Sequence, residues 1–191
     1  MSIAPFISGL IKFCLILSLS LTVWLTNTSP SHAEIDTDRY DGNIFVVYAG
    51  NGSLVPPKLT LKQSFDRKLP VILVYYLDDN SDSKEFAFIV SRFQEFYGKV
   101  ASLIAVPVDT IPMKKTYQPD EVGYYYRGAI PQTVVLDENG KKVFDETGIV
   151  QFEAVDDVLR EIFNLLPRSQ SVELKRKTFN QFNSELVPVE K

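Results

Sequence analysis

Beyond residue 33 the chain contains no cysteine, no histidine and no tryptophan. The single Cys14 and the single His32 both lie in an apolar N-terminal leader. The remainder therefore cannot perform thiol–disulfide exchange, which needs a thiolate, or run a Ser–His or Cys–His relay. It also cannot bind zinc through imidazole and sulfur. We predict no catalytic residues, no metal ligands and no cofactor, and a domain held together by packing instead of disulfides.

The charge balance of the chain is mildly acidic, with no basic stripe. The whole chain has a formal net charge of −4, and the part beyond the leader has −5, because the leader contributes Lys12 and no acid. Proteins that bind nucleic acid usually present a clustered basic surface. The composition therefore argues against a nucleic-acid partner.

The leader has the three-part form of a secretory signal. After Lys12, residues 13–25 form an unbroken apolar run, and small residues at Ser31 and Ala33 follow a polar stretch. We expect cleavage after Ala33. The alternative is an uncleaved membrane anchor, since residues 3–25 approach the roughly 20 residues needed to span a bilayer. Either interpretation predicts an exported domain.

Hydrophobic patterning beyond the leader predicts one α/β domain. The predicted strands are 43–48, 69–77, 102–108, 133–136 and 142–144, and the predicted helices are 59–65, 83–97, 152–166 and 172–186. This order predicts a mixed sheet flanked by helices, with an extra C-terminal helix. We expect a signal peptide or anchor at 1–33, the domain at 34–167, and a C-terminal helical extension at 168–191.

Two anchors of this layout resemble the thioredoxin fold. In thioredoxins a central strand runs into a Cys-x-x-Cys turn that opens a helix, and a lysine usually follows. Here the strand that ends at Leu77 runs into Asn-Ser-Asp-Ser at residues 80–83, followed by Lys84. The thioredoxin Ile-Pro with a cis peptide bond is matched by Ile130 and Pro131. The resemblance covers residues 44–166 and implies a thioredoxin-like fold.

The departures from thioredoxin matter more than the matches. Asn80 and Ser83 fill the two cysteine positions. The buried acid that assists thiol chemistry in the family is Val74 here, and the lysine that pairs with that acid falls near Ala105. The thiolate and its tuning groups are all missing. This suggests an inherited scaffold put to another use.

A narrower resemblance covers nearly the whole chain beyond the leader. It rests on RYDGNIF at 39–45, YAGNGSLVPP at 48–57, YYYRG at 124–128, IPQTVVLD at 130–137, DDVLR at 156–160 and LPRS at 166–169. These segments resemble the cyanobacterial thioredoxin-like thylakoid membrane photosystem I accumulation factors. The resemblance implies a location in the thylakoid membrane or lumen, with the periplasm as the alternative. It also implies a part in building or maintaining photosystem I.

Residues 78–82, Asp-Asp-Asn-Ser-Asp, copy the first three ligands of an EF-hand loop. The glycine that such a loop needs is Ser83 here, and its closing glutamate is an isoleucine. We therefore interpret the pattern as the start of a helix. Asp82 or Ser81 is expected to cap that helix, with Glu85 completing a capping box.

The expected binding surface joins the degenerate turn to the proline loop. In thioredoxin-like proteins the backbone beside this proline accepts an extended peptide as an added strand. The alternative is that Pro131 merely fixes the loop. Three consecutive tyrosines add a recognition surface if they are exposed, whereas the alternative is that two of them pack on the sheet. The candidate binding residues are Asn80, Ser81, Asp82, Ser83, Tyr124, Tyr125, Tyr126, Ile130 and Pro131.

The sequence predicts a non-catalytic binding module. The family resemblance implies a membrane-protein client, namely photosystem I subunits or assembly intermediates. The basic residues 175–177, beside apolar residues of the predicted last helix, suit either anionic lipid headgroups or a solvated face. Two other functions stay open: a thiol–disulfide oxidoreductase relative with residual redox or isomerase activity, and a structural membrane-associated protein without a defined groove.

Overall fold

The computed structural model describes residues 13–18, 20 and 33–171, and the backbone of two further strands at 174–178 and 184–188. The chain divides into a unit of residues 1–33 and a unit of residues 34–191. Residues 13–18 of the first unit are helical. Within the described residues, no helix is both long and apolar enough to cross a membrane. Most of the predicted leader lies outside the described residues.

A mixed four-stranded sheet forms the centre of the second unit. Its strands lie side by side in the order β2-β1-β3-β4 and are β1 (Val71–Tyr76), β2 (Ser102–Pro107), β3 (Gln132–Leu136) and β4 (Lys142–Thr147). β1 pairs in parallel with β2 and antiparallel with β3, and β3 and β4 form an antiparallel hairpin. All of β1 is buried, as its continuous apolar run predicts for a strand covered on both faces. The predicted mixed sheet is confirmed.

Three of the four α-helices that the structure describes in the second unit cover one face of this sheet. The helices are α1 (Ile44–Val47), α2 (Leu61–Asp66), α3 (Ser81–Tyr97) and α4 (Phe152–Ile162). Helices α1, α3 and α4 share one core cluster with Ile72, Val74 and Tyr76 of β1. Phe93 of α3 stacks on Phe152 of α4, with their ring centroids 5.5 Å apart. These contacts pack α3 and α4 against each other and against the sheet.

The other face of the sheet is covered by α2 and by the connection at residues 108–131. Leu61 of α2 and Tyr125 of the connection are buried in a second core cluster with Leu73 and Tyr75. The hydroxyl of Tyr75 donates to the carbonyl of Val122 at 2.6 Å, which ties the connection to the sheet. The short helix predicted at 59–65 is confirmed as α2.

Residues 43–48, predicted as a strand, form helix α1 instead. The side-chain oxygen of Asn43 accepts a hydrogen bond from the N–H of Phe45 at 3.2 Å and so caps the helix. Asp78, which follows β1, accepts the N–H of Ile44 at 2.9 Å. The run Ile-Phe-Val-Val has high strand propensity, but these caps and the burial of Ile44 and Phe45 favour the helix.

The C-terminal helix predicted at 172–186 is also wrong. The backbone there forms β5 (Leu174–Thr178) and β6 (Ser184–Pro188), which pair antiparallel as a separate two-stranded sheet. Thr178 and Val187 are β-branched, and β-branched residues favour strands over helices. The basic residues 175–177 therefore lie on a strand and not on an amphipathic helix.

Helix α4 ends at Ile162, earlier than the predicted residue 166. Phe163 caps it, and Asn164 takes a left-handed φ of 49° that an α-helix cannot continue through.

The two edges of the four-stranded sheet differ in exposure. β2 is buried along almost its whole length, and the short turn at Gly52–Leu54 contacts it. β4, at the opposite edge among the described strands, exposes Lys142 and Glu146 and leaves Asp145 half-buried. Charged side chains on an exposed edge strand disfavour pairing with another chain.

Candidate functional site

The degenerate turn and the proline loop lie at the same end of the sheet. β1 ends at Tyr76 and leads into the turn, whereas β3 begins at Gln132, directly after Pro131. Because β1 and β3 are antiparallel, with Tyr75 opposite Gln132, the end of β1 meets the start of β3. The peptide bond between Ile130 and Pro131 is cis, as the resemblance implies. The structure therefore brings together the two predicted parts of the site.

Asn80 caps helix α3, which corrects the prediction of a cap at Asp82 or Ser81. Its side-chain oxygen accepts hydrogen bonds from the N–H and the hydroxyl of Ser83, both at 2.8 Å. Because the helix begins at Ser81, Ser83 occupies the third helical position, so the predicted capping box with Glu85 does not form. The two positions that hold cysteine in thioredoxins are thus bonded to each other and stabilise the helix start.

The two sheet positions that hold the tuning acid and lysine in thioredoxins carry apolar residues here. Val74 pairs with Ala105 of β2 and with Thr133 of β3, and all three residues are buried. The Thr133 hydroxyl has no hydrogen-bond partner among the described residues. A thiolate at this turn would therefore lack the groups that tune its pKa in thioredoxins.

An acidic segment at residues 34–41, which we term the strap, lies over the start of α3. The side chain of Lys84 is 0% exposed, and its ammonium donates three hydrogen bonds to the strap. The acceptors are the carbonyls of Glu34 at 3.0 Å and Thr37 at 2.8 Å, and the carboxylate of Asp41 at 2.8 Å. A buried lysine needs such partners, because an unpaired buried charge is costly.

Hydrogen bonds favour the charged forms of Asp38, Asp41 and Lys84. Burial lowers the pKa of Lys84, but the hydrogen bond with Asp41 and the neighbouring Tyr48 side chain outweigh burial and leave the pKa above its ordinary value. The hydrogen bond from Lys84, followed by the one that the Tyr48 hydroxyl donates at 2.7 Å, holds the pKa of Asp41 well below its usual range. The N–H of Ser81 donates to Asp38 at 2.8 Å and lowers the pKa of that carboxyl.

The cap and the strap determine how much of the turn is accessible. Ser83 is buried, Asn80 and Ser81 are half-buried, and Asp82 is exposed. Nearby, the carboxylate of Asp78 accepts the N–H of Ile44 at the start of α1, and burial raises the pKa of that carboxyl. In the part of the chain that the structure describes, no three histidine, cysteine or acidic side chains are grouped so that they could hold a metal ion.

Gln132 anchors the proline loop. Its amide nitrogen donates to the carbonyl of Tyr125 and to the carboxylate of Asp145, both at 2.9 Å. Its amide oxygen accepts from the N–H of Arg127, also at 2.9 Å. Gln132 is fully buried, so these three hydrogen bonds give the loop before Pro131 a defined position.

The backbone of Ile130 is left unpaired beside this anchored loop. The carbonyl of the buried Pro131 accepts a hydrogen bond from the N–H of Gly148 at 2.7 Å. By contrast, neither the N–H nor the carbonyl of the half-buried Ile130 bonds to any residue that the structure describes. An unpaired donor and acceptor on one residue are what an added strand uses.

Of the three tyrosines before the loop, Tyr124 is the exposed one. Its side chain is 53% exposed and stands edge-on against Tyr125, with ring centroids 4.9 Å apart. Tyr125 is buried, and its hydroxyl donates to the carbonyl of Pro119 at 2.9 Å. Tyr126 is half-buried with its ring 5.3 Å from that of Tyr75. The alternative that two of the three tyrosines pack on the sheet is therefore the observed one.

Sequence reasoning missed the strap and the role of Gln132. One signal was available for the strap. Lys84 begins the buried stripe of α3, where a lysine needs a partner, and four acids follow the leader at Glu34, Asp36, Asp38 and Asp41. No comparable pattern marks Gln132, whose partners come from the loop and from β4.

Comparison with known proteins identifies a relative of nearly full length. The chain is 63% identical over 175 residues to thylakoid membrane protein slr1796 of the cyanobacterium Synechocystis sp., covering 88% of this chain and 87% of that protein. The chain belongs to the family of this protein. No family model matches the chain. The germline-specific thioredoxin Deadhead of Drosophila melanogaster matches 53% of this chain and 93% of its own, with 17% identity and a TM-score of 0.40.

This member of the thylakoid protein family has a thioredoxin-like fold without the thioredoxin redox motif. The parallel unit β1–α3–β2, the hairpin β3–β4 and the closing helix α4 follow the predicted order. Cys14 is the single cysteine of the chain; it is exposed and precedes the domain. No Cys-x-x-Cys pair exists in the sequence.

Proposed function

We propose that this chain is a non-catalytic binding protein of the thylakoid that supports photosystem I accumulation. Its clients would be membrane proteins, namely photosystem I subunits or assembly intermediates. The thylakoid location draws on the name of the 63% identical relative. The link to photosystem I draws on the family that the sequence segments resemble.

One observation carries the proposal of binding without catalysis. Asn80 and Ser83, at the redox positions, bond to each other as a helix cap, whereas the N–H and carbonyl of Ile130, at the same end of the sheet, bond to no residue that the structure describes. A thiol–disulfide step needs a sulfur nucleophile, and the domain contains none. Backbone pairing needs only a donor and an acceptor in fixed positions. The hydrogen bonds of Gln132 to Arg127 and Tyr125 hold the loop before Pro131 in place.

The client would add an extended segment along Ile130 and contact Tyr124. Main-chain hydrogen bonds supply affinity in this binding mode, and side-chain contacts supply selectivity. Tyr124 suits such a contact because an aromatic ring buries much area at low entropic cost, and its packing on Tyr125 already restricts it.

Affinity capture from solubilised thylakoid membranes tests the proposal. The tagged full chain should retain photosystem I subunits, and Tyr124→Ala should reduce their recovery by about tenfold, which corresponds to the loss of about 1.4 kcal/mol of binding free energy. Phe88→Ala is the matched control, because Phe88 is also aromatic and 48% exposed but lies on α3. Equal recovery with Tyr124→Ala and wild type would favour a structural membrane-associated protein without a groove.

An insulin-reduction assay tests the absence of redox activity. The full chain with dithiothreitol should give no rate above that of dithiothreitol alone. A reproducible rate above it, retained after Cys14→Ser, would show a thiol-independent activity and would overturn the non-catalytic assignment.

A further inference from the structure

The strap is held to the domain by polar contacts around one side chain. All three acceptors of the buried Lys84 ammonium come from the strap, and Asp38 adds the hydrogen bond from the N–H of Ser81. The side chains of residues 34–40 are exposed or half-exposed, so little apolar surface is buried with these contacts. Opening the strap therefore breaks polar contacts but leaves the packing on both faces of the sheet intact.

An open strap would uncover the polar groups that it now contacts. Lys84 would present an ammonium with three unfilled donor positions, and Ser81 would present its N–H at the start of a 17-residue helix. The start of a helix favours anions. The groups that the strap places there, backbone carbonyls and carboxylates, show which ligand chemistry the site accepts.

We propose that this site at the start of α3 binds an extended acidic peptide, and that the strap is its intramolecular occupant. A client segment of the same chemistry displaces the strap and reaches Ile130, which lies at the same end of the sheet. For its client this inference rests on the proposed function. The short link through Gly42 gives the strap a local concentration on the order of millimolar, so the closed strap excludes micromolar peptide.

Matched substitutions within the strap test this inference in the full chain. Asp38→Asn combined with Asp41→Asn removes the two carboxylates that contact the domain. Asp36→Asn neutralises one carboxylate of the same segment, but Asp36 has no hydrogen bond or ion pair with any described residue. Tryptic cleavage after Arg39, compared with cleavage of a synthetic peptide of residues 34–42 that carries the same substitutions, reports strap opening and corrects for the lost Arg39–Asp41 ion pair. A labelled synthetic peptide of residues 34–42 reports whether the uncovered site takes a ligand.

We expect tryptic cleavage after Arg39 to be about tenfold faster in the double variant and unchanged in Asp36→Asn, since charge-assisted hydrogen bonds each contribute about a tenfold change or more. The peptide should bind the double variant at least about tenfold more tightly than wild type. A peptide with asparagine at both contacting positions should bind neither.

Two results would overturn the inference: unchanged cleavage in the double variant, or faster cleavage without any binding of the peptide. A different result bears on the proposed function alone. If the peptide binds the double variant but no variant captures photosystem I subunits, the peptide site stands and the proposed client is wrong.

Discussion

Replacing Thr133 by valine is expected to stabilise the domain. The Thr133 hydroxyl is fully buried and has no hydrogen-bond partner among the described residues. A buried hydroxyl without a partner costs about 1–3 kcal/mol, and valine has nearly the same shape as threonine. Its apolar neighbour Val74 can contact the new methyl group. We expect the free energy of unfolding to rise by about 1 kcal/mol and Tm by about 2–4 °C.

Urea unfolding of the full chain, followed by far-UV circular dichroism, measures this effect. Thr133→Ser is the matched control, because serine keeps the hydroxyl and removes the methyl group. It should lower the free energy of unfolding by about 1 kcal/mol, the loss expected for one buried methyl group. The two variants should therefore shift in opposite directions. A valine variant less stable than wild type would mean that the hydroxyl is satisfied in solution, and the reasoning would fail.

Three further predictions concern the cap, the strap and the core. Asn80→Ala should lower the free energy of unfolding in urea by about 1 kcal/mol, and Asn80→Asp should restore most of it. The pKa of Asp41 is lower in the folded than in the unfolded chain. The stabilisation that its carboxylate gives the closed strap should therefore be fully present above about pH 4 and should be lost as the pH falls further. The protection factor of the Ser81 amide should therefore be equal at pH 5 and pH 7 but lower at pH 3. Leu159→Ala, in the buried face of α4, should cost about 3 kcal/mol in the same urea assay.

The parts of the fold that could be predicted from sequence are those with long apolar patterns. β1 is continuously buried, and α3 carries Phe86, Val90, Phe93 and Tyr97 on one side, so both elements follow from periodicity alone. Helix α1 could not be predicted, because the Asp78 carboxylate that satisfies its first N–H is 34 residues away. A four-residue helix depends on such long-range contacts more than on local propensity.

The candidate site was predicted in outline but not in detail. The turn at Asn80 and the loop at Ile130 were placed correctly because their order in the chain matches thioredoxin. The hydrogen-bond partners of these segments could not be predicted, because Asp41 of the strap and Lys84 are 43 residues apart in the sequence. The wrong cap at Asp82 has a local cause. A two-residue error in where α3 begins changes which side chain faces the free N–H groups.

The asymmetry between the two sheet edges limits how this protein can meet other chains. A foreign strand that approached alongside β4 would have to strip water from Lys142 and Glu146, and Val143 is the exposed large apolar side chain of β4 that it could cover in return. The charged side chains of β4 therefore disfavour edge-to-edge pairing between copies of the protein and the aggregation that such pairing causes. Under the proposed binding mode, an extended client segment would instead pair at Ile130, whose N–H and carbonyl bond to no residue that the structure describes.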